Sequence, residues 1–143
     1  MVSPTTSIRA VTACSLLAAS ATHVAWGRGS TFPFGSEADL TDNVVGSSLK
    51  PSPRECYGVA AILGAAAALV AVPARSRPHR TVVVLMATVF AVRAAFGFAG
   101  RTDLLVPGSV SAAFRRNDRR LLSPLCAAIA AGIAIPTLHR PNG

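Results

Sequence analysis

A single arginine, Arg93, interrupts the otherwise apolar run TVVVLMATVFAVRAAFGFAG over residues 81–100. A guanidinium stays protonated and presents five N–H donors in a rigid fork. It can hold a carboxylate or phosphate through two parallel hydrogen bonds. In hydrocarbon it needs such a partner, because intramembrane charges nearly always face a protein interior or a wet cavity. The chain has six acids, Glu37, Asp39, Asp42, Glu55, Asp103 and Asp118, and none lies within an apolar run. Asp118, in FRRNDRRLLSPLC ahead of the last apolar run, is the expected partner of Arg93. Glu55, Asp103 and helix-end carbonyls are the alternatives. Asp118 also has two ordinary roles open to it, a helix N-cap and a surface pair with Arg115 or Arg119.

His23 and Trp26 stand three apart, so a helix would place them on one face. Histidine is the side chain suited to proton transfer near neutral pH. Tryptophan at the end of an apolar run suits a membrane interface. Glu55, Cys56 and Tyr57 are consecutive polar or reactive side chains at the start of the second apolar run. Cys56 and Cys126 are a candidate disulfide, whereas Cys14, inside the first run, reads as packing. Three His and three Cys occur without CxxC, HExxH or His-pair spacing, so no metal site and no cofactor are expected. No nucleophile stands beside a base in any recognisable arrangement. Hence no catalytic residue is assigned.

The elements that must position these groups are four apolar runs, at residues 8–26, 57–74, 81–100 and 121–138. Each has the ~18–20 residues that a helix needs to cross ~30 Å of hydrocarbon. The fold class is therefore all-α, an integral membrane bundle of four transmembrane helices in one domain spanning the 143 residues. Composition agrees. Charged residues are 14%, against about 25% in soluble domains, and mean hydropathy is +0.48. The first run also carries elements of a signal peptide, with Arg9 at its start and Ala19-Ser20-Ala21 as a cleavage-like site. Its apolar character continues past that site, which favours a span. Loop 27–56 is long and partly irregular, and the basic turn 75–80 is short enough to make runs two and three antiparallel neighbours. Ser123-Pro124 admits two helix starts: a cap at Ser123, or an earlier start near Asn117 or Asp118 with a bend at Pro124.

Parity then sorts the side chains. If all four runs span, the ends of runs one and three and the starts of two and four share a membrane face. That face collects His23, Trp26, Glu55, Cys56, Tyr57, Arg93, Asp118, Ser123 and Cys126. The opposite face receives Arg9, the ARSRPHR turn and the tail. The net charge of +8 comes from 13 Arg and one Lys against the six acids. These arginines lie between apolar runs, where phospholipid headgroups are the natural counter-charge. No basic helix carries interleaved aromatics, so nucleic acid is not an expected partner and membrane lipids are. The density of basic residues on the face carrying loop two places both termini in the cytoplasm, although the raw count over loops one and three is larger.

Three stretches, HVAWGRG at His23, Trp26 and Gly29, FAVRAAFGF around Arg93, and FRRNDRRLLSPLC, together resemble the domain-of-unknown-function 3995 family of small bacterial membrane proteins. The likeness runs from about residue 8 to 138. It implies a four-helix protein of the bacterial cell membrane and supplies no activity. It marks His23, Trp26, Arg93, Asp118 and Pro124 as positions of interest. Three functions remain in order: a non-catalytic bundle whose polar cluster packs helices or binds a lipid headgroup; a membrane enzyme acting on a lipid or isoprenoid; and a small transporter or channel subunit, working as a homo-oligomer. A proton-coupled carrier is disfavoured because no acid lies mid-span.

Overall fold

The computed structural model of the protein describes residues 3–46, 51–105 and 111–138. It is all-helical among those residues. The long helices are α1 (Pro4–Gly27), α3 (Pro53–Ala71) and α4 (Arg77–Ala99), together with α5 (Ala112–Asn117), which continues through a π turn into α6 (Ser123–Leu138). Four helical stretches are long and apolar enough to cross a membrane, the last running unbroken from Ala112 to Leu138. A short α2 (Glu37–Leu40) and a π turn (Thr41–Val45) lie in the first connection.

The helices begin earlier than the apolar runs, and the reason is local chemistry. Pro4 starts α1 with its φ already set for a helix. Ser52 starts α3 with a capping box: its Oγ accepts from the Glu55 N–H at 3.3 Å, and its own N–H donates to Glu55 Oε2 at 2.6 Å. Ser76 caps α4 and Ser111 caps α5, accepting from the N–H groups of His79 and Phe114. Each cap adds a polar first turn to an apolar helix. The α4 C-terminus is closed by Gly100 at φ +70°, a left-handed position, with the Arg101 N–H bonded back to the Phe96 carbonyl.

The close antiparallel pairs are α1 with α3 and α4 with α6, and α1 against α6 joins the two pairs. Although the turn between them is short, α3 and α4 touch only sparsely. They meet where the core draws on all four long helices: Leu16 from α1, Ala66, Ala67 and Val70 from α3, Val83 from α4, and Ile129 and Ile133 from α6. The core is small, and large apolar side chains face outward. Ile62 is 71% exposed and Val89 67%.

Small residues let α1 approach its neighbours. The Ser20 hydroxyl donates to the Ala60 carbonyl on α3 at 2.7 Å. Gly132 on α6 faces the buried Thr12 of α1 so closely that a Cβ there would overlap Thr12 Oγ1. Gly132→Ala is therefore expected to cost about 1–3 kcal/mol through overpacking. Thr12→Ala in the same chain should recover most of that loss, because it removes the overlapping atom. Thermal unfolding in detergent would read this, and strictly additive losses would show that the Gly132–Thr12 contact is not what limits the packing.

The two long connections meet at one end of the molecule. Ser111 Oγ donates to the Asp42 carbonyl at 3.1 Å, and Asn117 Nδ2 to the Asn43 carbonyl at 3.0 Å. Phe114, only 1% exposed, lies over Gly46, whose φ of +73° and contact with the ring both favour glycine. At the other end, Arg9 donates to the Pro136 carbonyl and the His79 ring donates to the Leu69 carbonyl. The shared-end arrangement expected from parity is thus present in the packing of the connections.

Candidate functional site

Arg93 projects from α4 toward Asp118, at the π turn between α5 and α6. Arg93 Nη2 donates to Asp118 Oδ1 at 2.6 Å and Nη1 donates to Oδ2 at 3.4 Å, a bidentate fork. Asp118 is fully buried, while the Arg93 side chain keeps 26% of its surface. The expected partner is therefore the observed one. Of the alternatives, Glu55 is engaged by Ser52, and Asp103 lies 3.7 Å from Arg101 at the surface. Because α4 starts at Arg77, Arg93 lies five residues beyond its midpoint, roughly 7.5 Å toward the end that carries Asp118.

The π turn, Asp118–Leu122, explains how one helix supplies two groups to this place. The Ser123 N–H donates to the Asp118 carbonyl five residues back. In a regular helix, residues five apart point about 140° from each other. One extra residue in the turn closes that angle, and both Asp118 and Ser123 become fully buried toward α4. The turn also lies directly before Pro124, which has no N–H to give to a carbonyl four residues back. The helix takes neither start open in the sequence, at Ser123 or near Asn117 and Asp118: it begins earlier, at Ala112, and passes through Pro124.

Gly97, one turn beyond Arg93 on α4, makes the approach possible. A Cβ there would overlap Ser123 Oγ and lie 2.7 Å from Asp118 Oδ2 and 2.9 Å from Arg93 Nη1. The Ser123 hydroxyl is buried against this glycine without a hydrogen-bond partner. Cys126 lies one turn further along α6 and is half-buried. Arg119 packs its guanidinium over Gly100 at the α4 C-terminus, where the helix dipole favours a cation.

The other candidates form separate groups. The His23 and Trp26 rings pack with centroids 4.9 Å apart. His23 Nδ1 lies 2.8 Å from the Ala19 carbonyl. A carbonyl only accepts, so Nδ1 carries the proton and Nε2 the lone pair in the neutral ring. Trp26 Nε1 donates to the Phe32 carbonyl at 2.7 Å and so holds the start of the first connection. Tyr57 packs its ring on Gly27. Among the described residues, no hydrogen bond or ion pair joins His23 or Trp26 to the Arg93–Asp118 pair. Cys56 and Cys126 are both free thiols, so the candidate disulfide is not formed. Cys56 is instead buried near Trp26 beside α2. No group of three or more His, Cys, Asp or Glu side chains among the described residues has the spacing to hold a metal ion.

Ser123 is placed on the shared face by the sequence, whereas Gly97, Phe114 and Asn117 are not marked there as site residues. Gly97 had a usable signal, since it stands four residues from Arg93 on the same helix face. The Phe114 and Asn117 contacts had none, because they depend on where a long connection returns.

Four helices of spanning length, with an ion pair buried between the last two, define the class: an all-helical protein with membrane-span-like helices. The family described as "Protein of unknown function (DUF3995)" matches residues 16–133, and the chain belongs to it. No curated protein and no solved structure matches the chain.

Proposed function

We propose that the protein is a non-catalytic integral membrane protein, in which the Arg93–Asp118 pair fastens α4 to α6 near one membrane face. The observation that carries this reading is the fork itself. It satisfies Asp118 from α4, leaving the carboxylate closed to solvent and to a ligand. A buried ion pair is weak evidence for added stability, but its geometry specifies how two helices register. An enzymatic reading would use His23 as acid or base, yet among the described residues no hydrogen bond or ion pair joins its ring to the Arg93–Asp118 pair. The outward-facing Ile62, Val89 and their neighbours support lipid as the surrounding solvent, since water-facing monomers rarely expose apolar surface on this scale.

All four long helices span in this reading. The unbroken stretch 112–138 is roughly 41 Å long, so its first turns reach beyond ~30 Å of hydrocarbon into the headgroup layer. The termini and the basic turn face the cytoplasm of a bacterial cell. The test is cysteine labelling in intact cells and inverted vesicles, in a chain whose native cysteines are replaced by serine. Cysteines at Ser30 and Ser111 should react with an impermeant reagent from outside only, and one at Ser76 from inside only. Reaction of the Ser30 and Ser111 positions from opposite sides would overturn the four-span reading. The same pattern inverted would overturn the orientation alone.

A further inference from the structure

The end of the molecule opposite Asp118 holds a cleft of about 600 Å³ lined by Arg9, Arg75, Arg77, Arg80, Ser76 and Thr137 among others. Arg9 is anchored there by its hydrogen bond to the Pro136 carbonyl. Ser76, the α4 N-cap, lies in the same lining, its Oγ accepting from the His79 N–H. No acid lines the cleft, and each of the chain's six acids belongs to another part of the fold. Four arginines thus line one cleft, and among the described residues no Asp or Glu lines it with them. Next to the cleft, and sharing Thr137 with it, an apolar groove of about 370 Å³ runs between α4 and α6 past Val84, Ala87, Ala131, Ala134 and Leu138. The groove faces outward and has almost no polar lining.

We propose that this cleft and groove together bind one anionic phospholipid, its phosphate held by the arginines of the basic turn and one acyl chain lying between α4 and α6. The inference rests on the membrane insertion proposed above. The argument is complementarity on both counts. A cleft lined by four arginines, with no described Asp or Glu in its lining, suits an external oxyanion, which arginine holds bidentately. An alanine-lined groove beginning at the same residue calls for a slender apolar chain. The cavity among Arg115, Arg116, Arg119 and Arg120 at the other end is lined by arginine alone and offers a headgroup no such continuation. With the basic turn cytoplasmic, the ligand would come from the leaflet whose surface is negative.

The experiment is thermal unfolding of the full chain in a mild nonionic detergent, titrated separately with phosphatidylglycerol, phosphatidylcholine and inorganic phosphate. Phosphatidylglycerol should raise the midpoint by several degrees, and the other two should leave it unchanged. In R75Q/R77Q/R80Q the phosphatidylglycerol needed for the same shift should rise about a hundredfold, at roughly fivefold per basic residue near an anionic surface. Ala134→Phe fills the groove and keeps every arginine; it should weaken the response about tenfold with little change in the lipid-free midpoint. R115Q/R116Q, at the other end, should respond like the parent. Equal shifts with phosphate and phosphatidylglycerol would identify a free-phosphate site and overturn the lipid assignment. An unchanged response in the triple variant, or equal shifts with both lipids, would overturn the site. Resistance of the chain to alkaline extraction from membranes, measured in parallel, reports insertion independently, so failure of the lipid site and failure of the membrane reading are separable.

Discussion

Asp118→Ala is expected to produce one of the two largest losses of stability among single substitutions at the α4–α6 contact, Arg93→Ala being the other. It leaves the Arg93 guanidinium facing a protein interior with no counter-charge, and removing one partner of a buried pair typically costs ~3–5 kcal/mol. Arg93→Ala should lose a similar amount, because Asp118 is fully buried and cannot recover solvent. The loss should be somewhat smaller for Asp118→Ala if the guanidinium, 26% exposed, reaches the interface on its flexible stem. Arg93→Ala with Asp118→Ala should be less damaging than the sum of the two, since the double variant buries no uncompensated charge. Arg93→Lys tests the geometry rather than the charge. An ammonium cannot reproduce two parallel N–H donors to Oδ1 and Oδ2, so it should restore only part of the stability. Unfolding of each variant in detergent, monitored by helicity, measures all four. Strict additivity of the single losses would dismiss the pair as a stabilising contact.

That this pair was legible beforehand follows from two features of the chain. The first is scarcity: Arg93 is the one charge in the interior of an apolar run, Arg9 lying at the very start of the first, and with six acids all outside the runs the list of partners was short. The second is parity, which brings the ends of runs one and three and the starts of runs two and four to a common face without any knowledge of side-chain packing. The same reasoning fails where contacts are not imposed by connectivity. Phe114 over Gly46, and Asn117 to the Asn43 carbonyl, require the first connection to fold back as a short helix and a π turn, and no periodicity records that. The sparse contact between α3 and α4 shows a related limit. A short turn joins helix ends, but the apolar faces decide how far the helices stay together, and those of α3 and α4 pack chiefly on α1 and α6. Helix starts were also hidden. Ser52, Ser76 and Ser111 open their helices with polar first turns that an apolar window excludes, although Ser52-Pro53-Arg54-Glu55 carries a capping box in its letters.

Gly97 is where the close approach of α4 and α6 is most sharply tested. Its conformation is ordinary helix, so the requirement is for space rather than for backbone freedom. A methyl group there would overlap Ser123 Oγ and crowd both oxygen and nitrogen of the fork, at 2.7 Å from Asp118 Oδ2 and 2.9 Å from Arg93 Nη1. Gly97→Ala would gain up to about 1 kcal/mol of helix propensity at an exposed site. Here the overlap should reverse the sign, with a net loss of about 1–3 kcal/mol. Two companion variants separate the causes. Ser123→Ala removes an unpartnered buried hydroxyl and should be neutral or slightly stabilising, because nothing is left unsatisfied by its removal. Combined with Gly97→Ala it deletes the worst overlap, so the double variant should regain roughly half of the single loss. The remainder belongs to crowding of the fork, and it should vanish in a chain already lacking Arg93 and Asp118 side chains. If Gly97→Ala were as stable as the parent, α4 and α6 would have to stand further apart than a shared ion pair and an orphaned serine against a glycine allow.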